Sequence, residues 1–421
     1  MVTKQEISIY DFVSAISEAI DLVSRLMNNH HKRVAYISCA ISKEMNLSDL
    51  DTEEIVLAAM LHDIGAFSIK ERVQALTYEN YNDEIDKHSK MGSKLLKPFK
   101  PLKKAALLID GHHAEYDKFG DSVPLGSQVI HLADRVAAQF ESGRDALEKA
   151  PAIIEKIRED RQKYHPGTLA AFEDLGKREY FWIEACAPSL GESTIKHRHF
   201  SGITMDMHTI HDFAKIISRI IDFRSRFTAT HSSGVAATAM ELTEISGFSE
   251  IICRQMLIAG YFHDVGKLAV SNDILEKNGP LTDSEFNTVK KHTYFTYRIL
   301  NKIQGLDQIA EWAAYHHEKQ GGDGYPFHVK GEEFSELAQI MAVADIMTAI
   351  TEDRPYRLGM EKAQAEKVLL SVGEKGALDK SVISLAVSNF DRLNAVRDAA
   401  QQKARKEYEN FYNEDGQGED K

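Results

Sequence analysis

Paired histidines lead into a glycine-rich loop at residues 315–326, which read YHHEKQGGDGYP. Imidazole nitrogens are good ligands for Zn, Mn, Fe, Ni or Cu. Glycine allows the backbone to approach a bound molecule closely, and Pro326 fixes the exit from the turn. The segment therefore predicts a site where a metal ion meets a bound substrate, provided that the rest of the chain supplies further ligands.

Histidines and aspartates in the second half of the chain form an ordered set that can supply those ligands. The set consists of His231, His263, Asp264, His292, His316, His317 and Asp345. These seven ligands exceed what one transition metal takes but suit two metals with a bridging carboxylate, and Asp264 is the natural bridge because it directly follows a ligand. Two ions ~3.5–4 Å apart lower the pKa of a water between them and stabilise both oxygens of a phosphoester displacement. The mixed donors favour two divalent ions of Fe or Mn, with Ni, Co or Zn as alternatives.

Lysine and arginine residues accompany this set at positions that suit a phosphate. Lys267, three residues after Asp264, can reach a metal-bound phosphate, where it would neutralise developing charge or assist proton transfer. Arg354 and Arg357 follow Asp345, and the planar guanidinium suits phosphate, but a structural salt bridge explains either arginine equally well. Asp264 and Lys267 are therefore the candidate catalytic residues.

The first half of the chain repeats the plan of the second half. Identical residues, polar as well as apolar, relate residues 9–65 to residues 210–266 at a constant offset of 201 without a gap. A second candidate metal set follows from the same comparison: His30, His62, Asp63, His88, His112, His113 and Asp134. The offset selects His30 over its neighbour His31. The chain is therefore interpreted as a tandem duplication of one domain.

Apolar residues at helical spacing must position these ligands. Ile9, Phe12, Val13, Ile16 and Ile20 predict an amphipathic helix, and no segment shows sustained strict alternation. We therefore predict an all-α fold with two tandem helical domains joined by a largely helical linker. The expected boundaries are 1–145 for the first domain, 146–205 for the linker, 206–401 for the second domain and 402–421 for a charged tail that frays.

Length, charge and cysteine content exclude several classes of protein. A chain of 421 residues is too long for one ordinary domain, and a net charge of −13 disfavours binding to a nucleic acid polymer. No apolar run approaches the ~18–20 residues that span a bilayer, so no membrane association is expected. The odd, widely spaced cysteines Cys39, Cys186 and Cys253 fit a reducing cytoplasm.

The second copy resembles the HD-GYP branch of the HD phosphohydrolase superfamily. The resemblance covers residues 206–370 and lies in HSSGVA, FHDVGK, KHTYFTYRIL, YHHEKQGGDGYP, VADIMTAI and DRPYR. It implies an all-α metal-dependent enzyme that opens cyclic di-GMP or 3′,3′-cGAMP by metal-hydroxide attack to a linear 5′-phosphorylated dinucleotide. It also implies that the seven residues of the second set are the ligands, that Lys267 contacts substrate, and that Gly324, Tyr325 and Pro326 form the signature loop. Trinuclear members carry a glutamate where this chain has Phe227, so two metals are implied.

The first copy resembles a plain HD domain. Ala66 replaces the lysine, and the loop after His113 lacks the signature, so this copy is expected to bind a ligand, regulate or support the second domain. Two alternatives remain open: an HD phosphohydrolase for another nucleotide or phosphoester, and a non-catalytic cyclic dinucleotide receptor. A second copy of the chain or a signalling protein are the partners left open besides the substrate.

Overall fold

In a computed structural model of the chain, the described residues are 7–21, 29–66, 83–140, 146–187, 204–223, 230–277, 279–353 and 358–413. Nearly all of the regular structure in them is helical, which confirms the all-α prediction. Residue contacts divide the chain into two compact units, Ile7–Met205 and Asp206–Lys421. No helix within the described ranges is long and apolar enough to cross a bilayer.

The first unit is a helical bundle around the first candidate metal set. Its core includes the fully buried Phe12, Ile16, Val34 and Ile37, which lie on the apolar faces of the first two helices. Its elements are β1 (Ile7–Ser8), α1 (Ile9–Asp21), α2 (His30–Glu44), α3 (Asp49–Leu61), α4 (Asp83–Leu96), α5 (Lys103–Asp110), α6 (Tyr116–Phe119), α7 (Leu125–Ala137), α8 (Ala146–Glu159), α9 (Pro166–Leu175), α10 (Glu179–Cys186) and β2 (Thr204–Met205).

A short antiparallel strand pair brings the two ends of the first unit together. Ile7 pairs with Met205, and Ser8 pairs with Thr204. Two residues per strand are too few for an alternating pattern to be recognised, which is why the sequence did not predict the pair.

Residues 146–187, treated above as part of a linker, pack within the first unit. Helices α9 and α10 contact α2, and α9 also contacts α7. Phe172, Phe181 and Trp182 are buried there with their rings in mutual contact. His165 accepts hydrogen bonds from the first backbone N–H groups of α9, so this histidine caps the N-terminus of that helix.

The second unit repeats the bundle and extends it at its end. Its helices are α11 (Met207–Phe223), α12 (His231–Ile245), α13 (Glu250–Phe262), α14 (Asn272–Leu275), α15 (Asp283–Leu300), α16 (Asp307–Ala314), α17 (Glu336–Thr351), α18 (Lys362–Glu374), α19 (Lys380–Ser388) and α20 (Phe390–Asn413). Helix α15 begins with a capping box in which Thr282 and Glu285 satisfy each other's backbone N–H groups.

Helix α20 corrects the expected start of a fraying tail at residue 402, because the helix continues to Asn413. Lys215 and Arg219 of α11 both pair with Glu407, which holds this charged segment on the domain. Composition alone suggested a solvated tail, since the partners of Glu407 lie nearly two hundred residues earlier in the chain.

Candidate metal centres

The seven residues of the second set converge from five segments of the second unit. His231 begins α12, His263 and Asp264 directly follow α13, and His292 lies in α15. His316 and His317 form the 3₁₀ turn after α16, and Asp345 lies in α17. Two groups of mutually close ligand atoms result, one of His231, His263 and Asp264 and one of His292, His316 and His317. We call the seven residues together the second cluster.

Asp264 connects the two groups through its two carboxylate oxygens. Its Oδ2 lies 3.2 Å from His263 Nε2, whereas its Oδ1 lies 3.4 Å from His292 Nε2. Asp345 adds a further oxygen donor to the group of His231 and His263, since its Oδ1 lies 3.1 Å from His231 Nε2 and 4.0 Å from His263 Nε2. Asp264 therefore has the placement expected of a bridging carboxylate.

The imidazole rings are oriented as metal ligands usually are. The Nδ1 atoms of His263, His292 and His316 each donate to the backbone carbonyl three residues earlier, at 2.8, 2.6 and 2.7 Å. This bond fixes the tautomer and leaves Nε2 as the lone-pair donor that faces the cluster. The buried Nε2 of His263 makes no hydrogen bond with any of the described residues. The donor set therefore fits divalent transition metal ions.

Burial and nearby carboxylates shift the pKa values of the histidines in the second cluster. Burial lowers the pKa of His292 to about 3, so its imidazole is neutral, as a ligand must be. Burial would also lower the pKa of His231, but Glu352 and Asp345 raise it to about 10. Glu352 Oε2 lies 3.1 Å from His231 Nδ1. The carboxylates of Asp345 and Glu352 thus favour a positive charge at this position, and a bound metal ion would displace the proton from His231.

Lys267 is the cation that the chain itself supplies to this pocket. Its ammonium pairs with Asp264 Oδ2, and its side chain retains 22% exposure. Burial opposes the charge of Lys267, but Asp264 outweighs burial and raises the pKa of the lysine. Lys267 therefore remains charged at the mouth of the second cluster.

The signature loop closes over one side of the second cluster. The ring of Tyr325 lies 5.0 Å from that of His317, and its backbone N–H donates to the His317 carbonyl. The Tyr325–Pro326 peptide bond is cis. A Cβ atom at Gly324 would lie 2.4 Å from the backbone of Glu318, so only glycine permits this close approach.

Glu318 anchors the same loop. Its Oε1 accepts hydrogen bonds from the backbone N–H groups of Phe327 at 2.6 Å and His328 at 3.1 Å. Arg354, the remaining predicted substrate contact, lies outside the described residues, as do Arg357 and Phe227.

The first set forms a second, similar constellation, which we call the first cluster. His30 Nε2 lies 3.1 Å from Asp134 Oδ1, the same distance as for His231 and Asp345. Asp63 Oδ2 faces His62 at 3.4 Å, and its Oδ1 faces His88 at 3.1 Å. The remaining members, His112 and His113, also lie close to Asp63 and His88. All seven predicted residues are therefore brought together.

A glycine in each copy allows the His-Asp turn to pack on the helix that carries the next ligand. A Cβ atom at Gly266 would lie 1.9 Å from the carbonyl oxygen of His292, and one at Gly65 would lie 2.1 Å from that of His88. The identity of these glycines follows from this contact.

Several residues near the clusters escaped the sequence analysis. Glu352 follows Asp345 by seven residues, a helical spacing that could have indicated its position beside His231. Asp21 and Asp222 were recognised as a repeated pair but received no role; each accepts from the backbone N–H ten residues later, at 3.3 Å. The pairing of Arg135 with Asp134 carried no signal, since adjacent residues on a helix rarely point at one another.

Comparison with family models agrees with this duplicated architecture. Residues 27–139 and residues 215–382 each match a model described as HD domain, and the two matches together cover more than half of the chain. The chain is a tandem HD-domain protein. We call its two units the first and second HD domains, and the predicted family resemblance is confirmed.

Characterised relatives of this tandem HD-domain protein carry enzyme names. It is 27% identical over 394 residues to 3′3′-cGAMP-specific phosphodiesterase 1 of Vibrio cholerae, covering 89% of this chain and 90% of the relative. It is 38% identical over 140 residues to cyclic di-GMP phosphodiesterase PA4108 of Pseudomonas aeruginosa, which covers 33% of this chain and 34% of that protein.

A solved structure shares the fold along most of the chain. The crystal structure of V-cGAP3, a cyclic GMP-AMP specific phosphodiesterase of V. cholerae, superposes with a TM-score of 0.64 and 19% identity. The match covers 92% of this chain and 98% of that one.

Proposed function

We propose that this protein is a metal-dependent phosphodiesterase that hydrolyses a cyclic dinucleotide in its second HD domain. The observation that carries the proposal is the placement of Asp264, whose two oxygens face His263 and His292 in separate ligand groups. One bridging carboxylate between two histidine-rich groups supports a binuclear site, and such sites are suited to phosphoester hydrolysis. The names of the relatives support the same reaction.

The metals in this proposal are two divalent ions, with Fe or Mn preferred and Ni, Co or Zn as alternatives. His231, His263, Asp264, His292, His316, His317 and Asp345 would hold them. When bound, they would polarise the phosphate and lower the pKa of a coordinated water. The buried Nε2 of His263, which faces Asp264 Oδ2, and the carboxylates around His231 support this assignment.

The side chains around the metals have separate roles in the proposal. Lys267 would leave Asp264 to contact a non-bridging oxygen of the substrate phosphate, where its charge stabilises the transition state. Glu352 would orient His231 through Nδ1. Glu318 would hold the loop of Gly324, Tyr325 and Pro326 at the mouth of the site. Arg354 remains a proposed phosphate contact.

The substrate is proposed to be 3′,3′-cGAMP or cyclic di-GMP, opened to a linear dinucleotide with a 5′-phosphate. The relative that aligns with most of this chain is named for 3′3′-cGAMP, which favours that substrate. A cytoplasmic location is part of the same proposal, and the odd number and wide spacing of Cys39, Cys186 and Cys253 support it.

The first cluster is proposed to hold metal without access for a cyclic dinucleotide. His113 is only 1% exposed and Asp134 is 2% exposed, and Ala114 and Glu115 at the start of the loop that follows His113 are also buried. In that loop Glu115 lies 3.8 Å from Lys163, and the ring of Tyr116 contacts His165. Closed sites of this kind usually support structure, whereas catalytic sites keep a position open.

Product chromatography on Mn- or Fe-loaded protein tests the proposed reaction. The wild-type protein is expected to convert 3′,3′-cGAMP or cyclic di-GMP into a linear product, and the His263→Ala variant is expected to form none. The matched His62→Ala variant should retain turnover, since it alters only the first cluster. Undiminished turnover by folded His263→Ala protein would overturn the assignment. Tight binding by the wild-type protein without any product would instead indicate a receptor.

A further inference from the structure

An exposed aromatic and cationic surface lies beside the second cluster. The ring of Phe286 is 44% exposed and lies 6.5 Å from the ring of Tyr325 at an interplanar angle of 83°. The ammonium of Lys290 lies 4.8 Å from the centroid of Phe286 and 5.4 Å from that of Tyr325. We call Phe286, Lys290 and Tyr325 the aromatic platform.

The aromatic platform is continuous with the proposed reaction site. Tyr325 contacts the ring of His317 at an angle of 37°. Burial, together with Asp345 and Asp264, raises the pKa of Tyr325, so its phenol stays neutral beside the cluster. Phe286 precedes His292 on the same helix by six residues, which is about 9 Å along the axis. A nucleotide whose phosphate lies at the cluster can therefore extend towards Phe286.

The composition of the platform suits a nucleobase. Aromatic side chains bind bases by stacking, and a cation near the rings strengthens such sites. A lysine ammonium also donates hydrogen bonds to the N7 and O6 acceptors of guanine. Among the described residues no carboxylate forms an ion pair with Lys290, so its donors remain available to a ligand.

Neighbouring aromatic residues do not share this arrangement. Tyr297, Tyr315 and Phe327 contact one another at centroid distances of 5.0 to 6.3 Å and form a packed group. No cation lies over these three rings within the described part of the domain. Phe286 differs because its ring combines exposure, a cation and a neighbour that touches the metal ligands.

We propose that the aromatic platform binds one purine base of the cyclic dinucleotide, with the base stacked on Phe286, its edge against Tyr325, and hydrogen bonds from Lys290 to the acceptor edge of guanine. This inference rests on the function proposed above and adds the subsite that holds the base next to the scissile phosphate. The platform contributes to substrate binding, whereas the residues of the second cluster contact the reacting phosphate.

Steady-state kinetics on the full-length, metal-loaded protein tests the platform. Phe286→Ala is expected to raise KM about tenfold with kcat within about twofold, because the lost stacking weakens ground-state and transition-state binding alike. Phe286→Trp should restore KM because it keeps a stacking face. Lys290→Ala should raise KM about fivefold, whereas Lys291→Ala removes the same charge from the next position of the helix and should leave KM unchanged. Metal content should be the same in all four variants.

The outcomes separate the subsite from the reaction. Wild-type turnover together with an unchanged KM in Phe286→Ala would overturn the platform and leave the proposed function intact. Equal increases of KM in Lys290→Ala and Lys291→Ala would overturn the role of Lys290 as a specific donor. A wild-type protein that neither binds nor hydrolyses 3′,3′-cGAMP or cyclic di-GMP would overturn both proposals.

Discussion

The first and second clusters share their ligand skeleton and differ in the cation beside it. In each, a histidine at the start of a helix lies 3.1 Å from the last aspartate of the set. In the second cluster the adjoining cation is Lys267, which pairs with the candidate bridge Asp264 and is partly exposed. In the first cluster Ala66 occupies that position, and Arg135 pairs instead with Asp134.

Access separates the two clusters further. Asp345 retains 14% side-chain exposure, whereas the side chain of its counterpart Asp134 retains 3%. The loop after His317 carries Gly321, Gly322 and Gly324, whereas in the loop after His113 the side chain of Glu115 is buried and lies 3.8 Å from Lys163. Both copies thus bring the same residue types together on similar helices. Under the function proposed above, Lys267 and the signature loop are what the second cluster adds for a substrate to react.

Removal of the candidate bridging carboxylate should give the largest difference in turnover between matched variants of the two domains. Asp264→Asn is expected to lower turnover about a thousandfold or more, because both ligand groups lose their shared oxygen donor. The matched Asp63→Asn variant should lower metal content in the first domain and leave turnover within about twofold. Metal analysis beside product chromatography checks both variants. Comparable loss of turnover in Asp63→Asn would contradict the separation of roles.

Loss of the partly exposed cation should have the next largest effect. Lys267→Met is expected to lower kcat about a hundredfold with metal content retained, as expected for loss of one group that stabilises transition-state charge. Lys267→Arg should recover part of this loss because it keeps the positive charge. Single-turnover rates and metal analysis provide the measurement. A kcat unaffected by Lys267→Met would mean that the lysine serves only to neutralise Asp264.

The carboxylate behind His231 should affect metal affinity more than the chemical step. Glu352→Gln is expected to weaken metal binding about 10–100-fold, because a charged partner orients the imidazole and raises its basicity. Competition with a chelator measures the affinity. Glu336→Gln, an exposed change on the same helix, is the control and should leave affinity unchanged. Equal affinities in both variants would contradict the role of Glu352.

Sequence analysis could predict which histidines and aspartates come together because they occupy fixed positions on repeated helices. The offset of 201 residues selected His30 over His31, and the structure places His30, like His231, 3.1 Å from an aspartate oxygen. Helical periodicity likewise predicted the all-α fold. Both inferences rest on local patterns that the chain repeats, and such patterns remain visible without coordinates.

Other features depend on contacts between distant segments and left no such pattern. Glu318 reaches the backbone of Phe327 only because the loop folds back, and α20 continues past residue 402 because Glu407 meets α11. Phe286 showed no link to Tyr325 in the sequence, since the two residues belong to a helix and a loop 39 positions apart. These partners became apparent only with the tertiary structure.

The two domains differ in one further contact, at the start of the helix that carries the first histidine of each cluster. Asp21 and Asp222 accept the backbone N–H of His31 and Ser232, each at 3.3 Å. The side chain that contacts each aspartate differs between the domains. His31 Nδ1 pairs with Asp21, whereas Ser232 Oγ donates to Asp222 at 2.8 Å. The imidazole of His31 also lies 5.0 Å from that of His62, so the larger side chain packs against a member of the first cluster.

His31→Ser should therefore give the first domain the serine–aspartate contact of the second domain and lower the stability of the first domain. The free energy of unfolding of that domain is expected to fall by about 2 kcal/mol, because a buried ring is lost and a cavity forms. Turnover should stay unchanged, and so should metal content, if His31 positions Asp21 and His30 rather than coordinating metal. Thermal unfolding and metal analysis distinguish the two roles. A loss of metal from the first domain would make His31 an additional ligand, and the two clusters would then differ in composition as well as access.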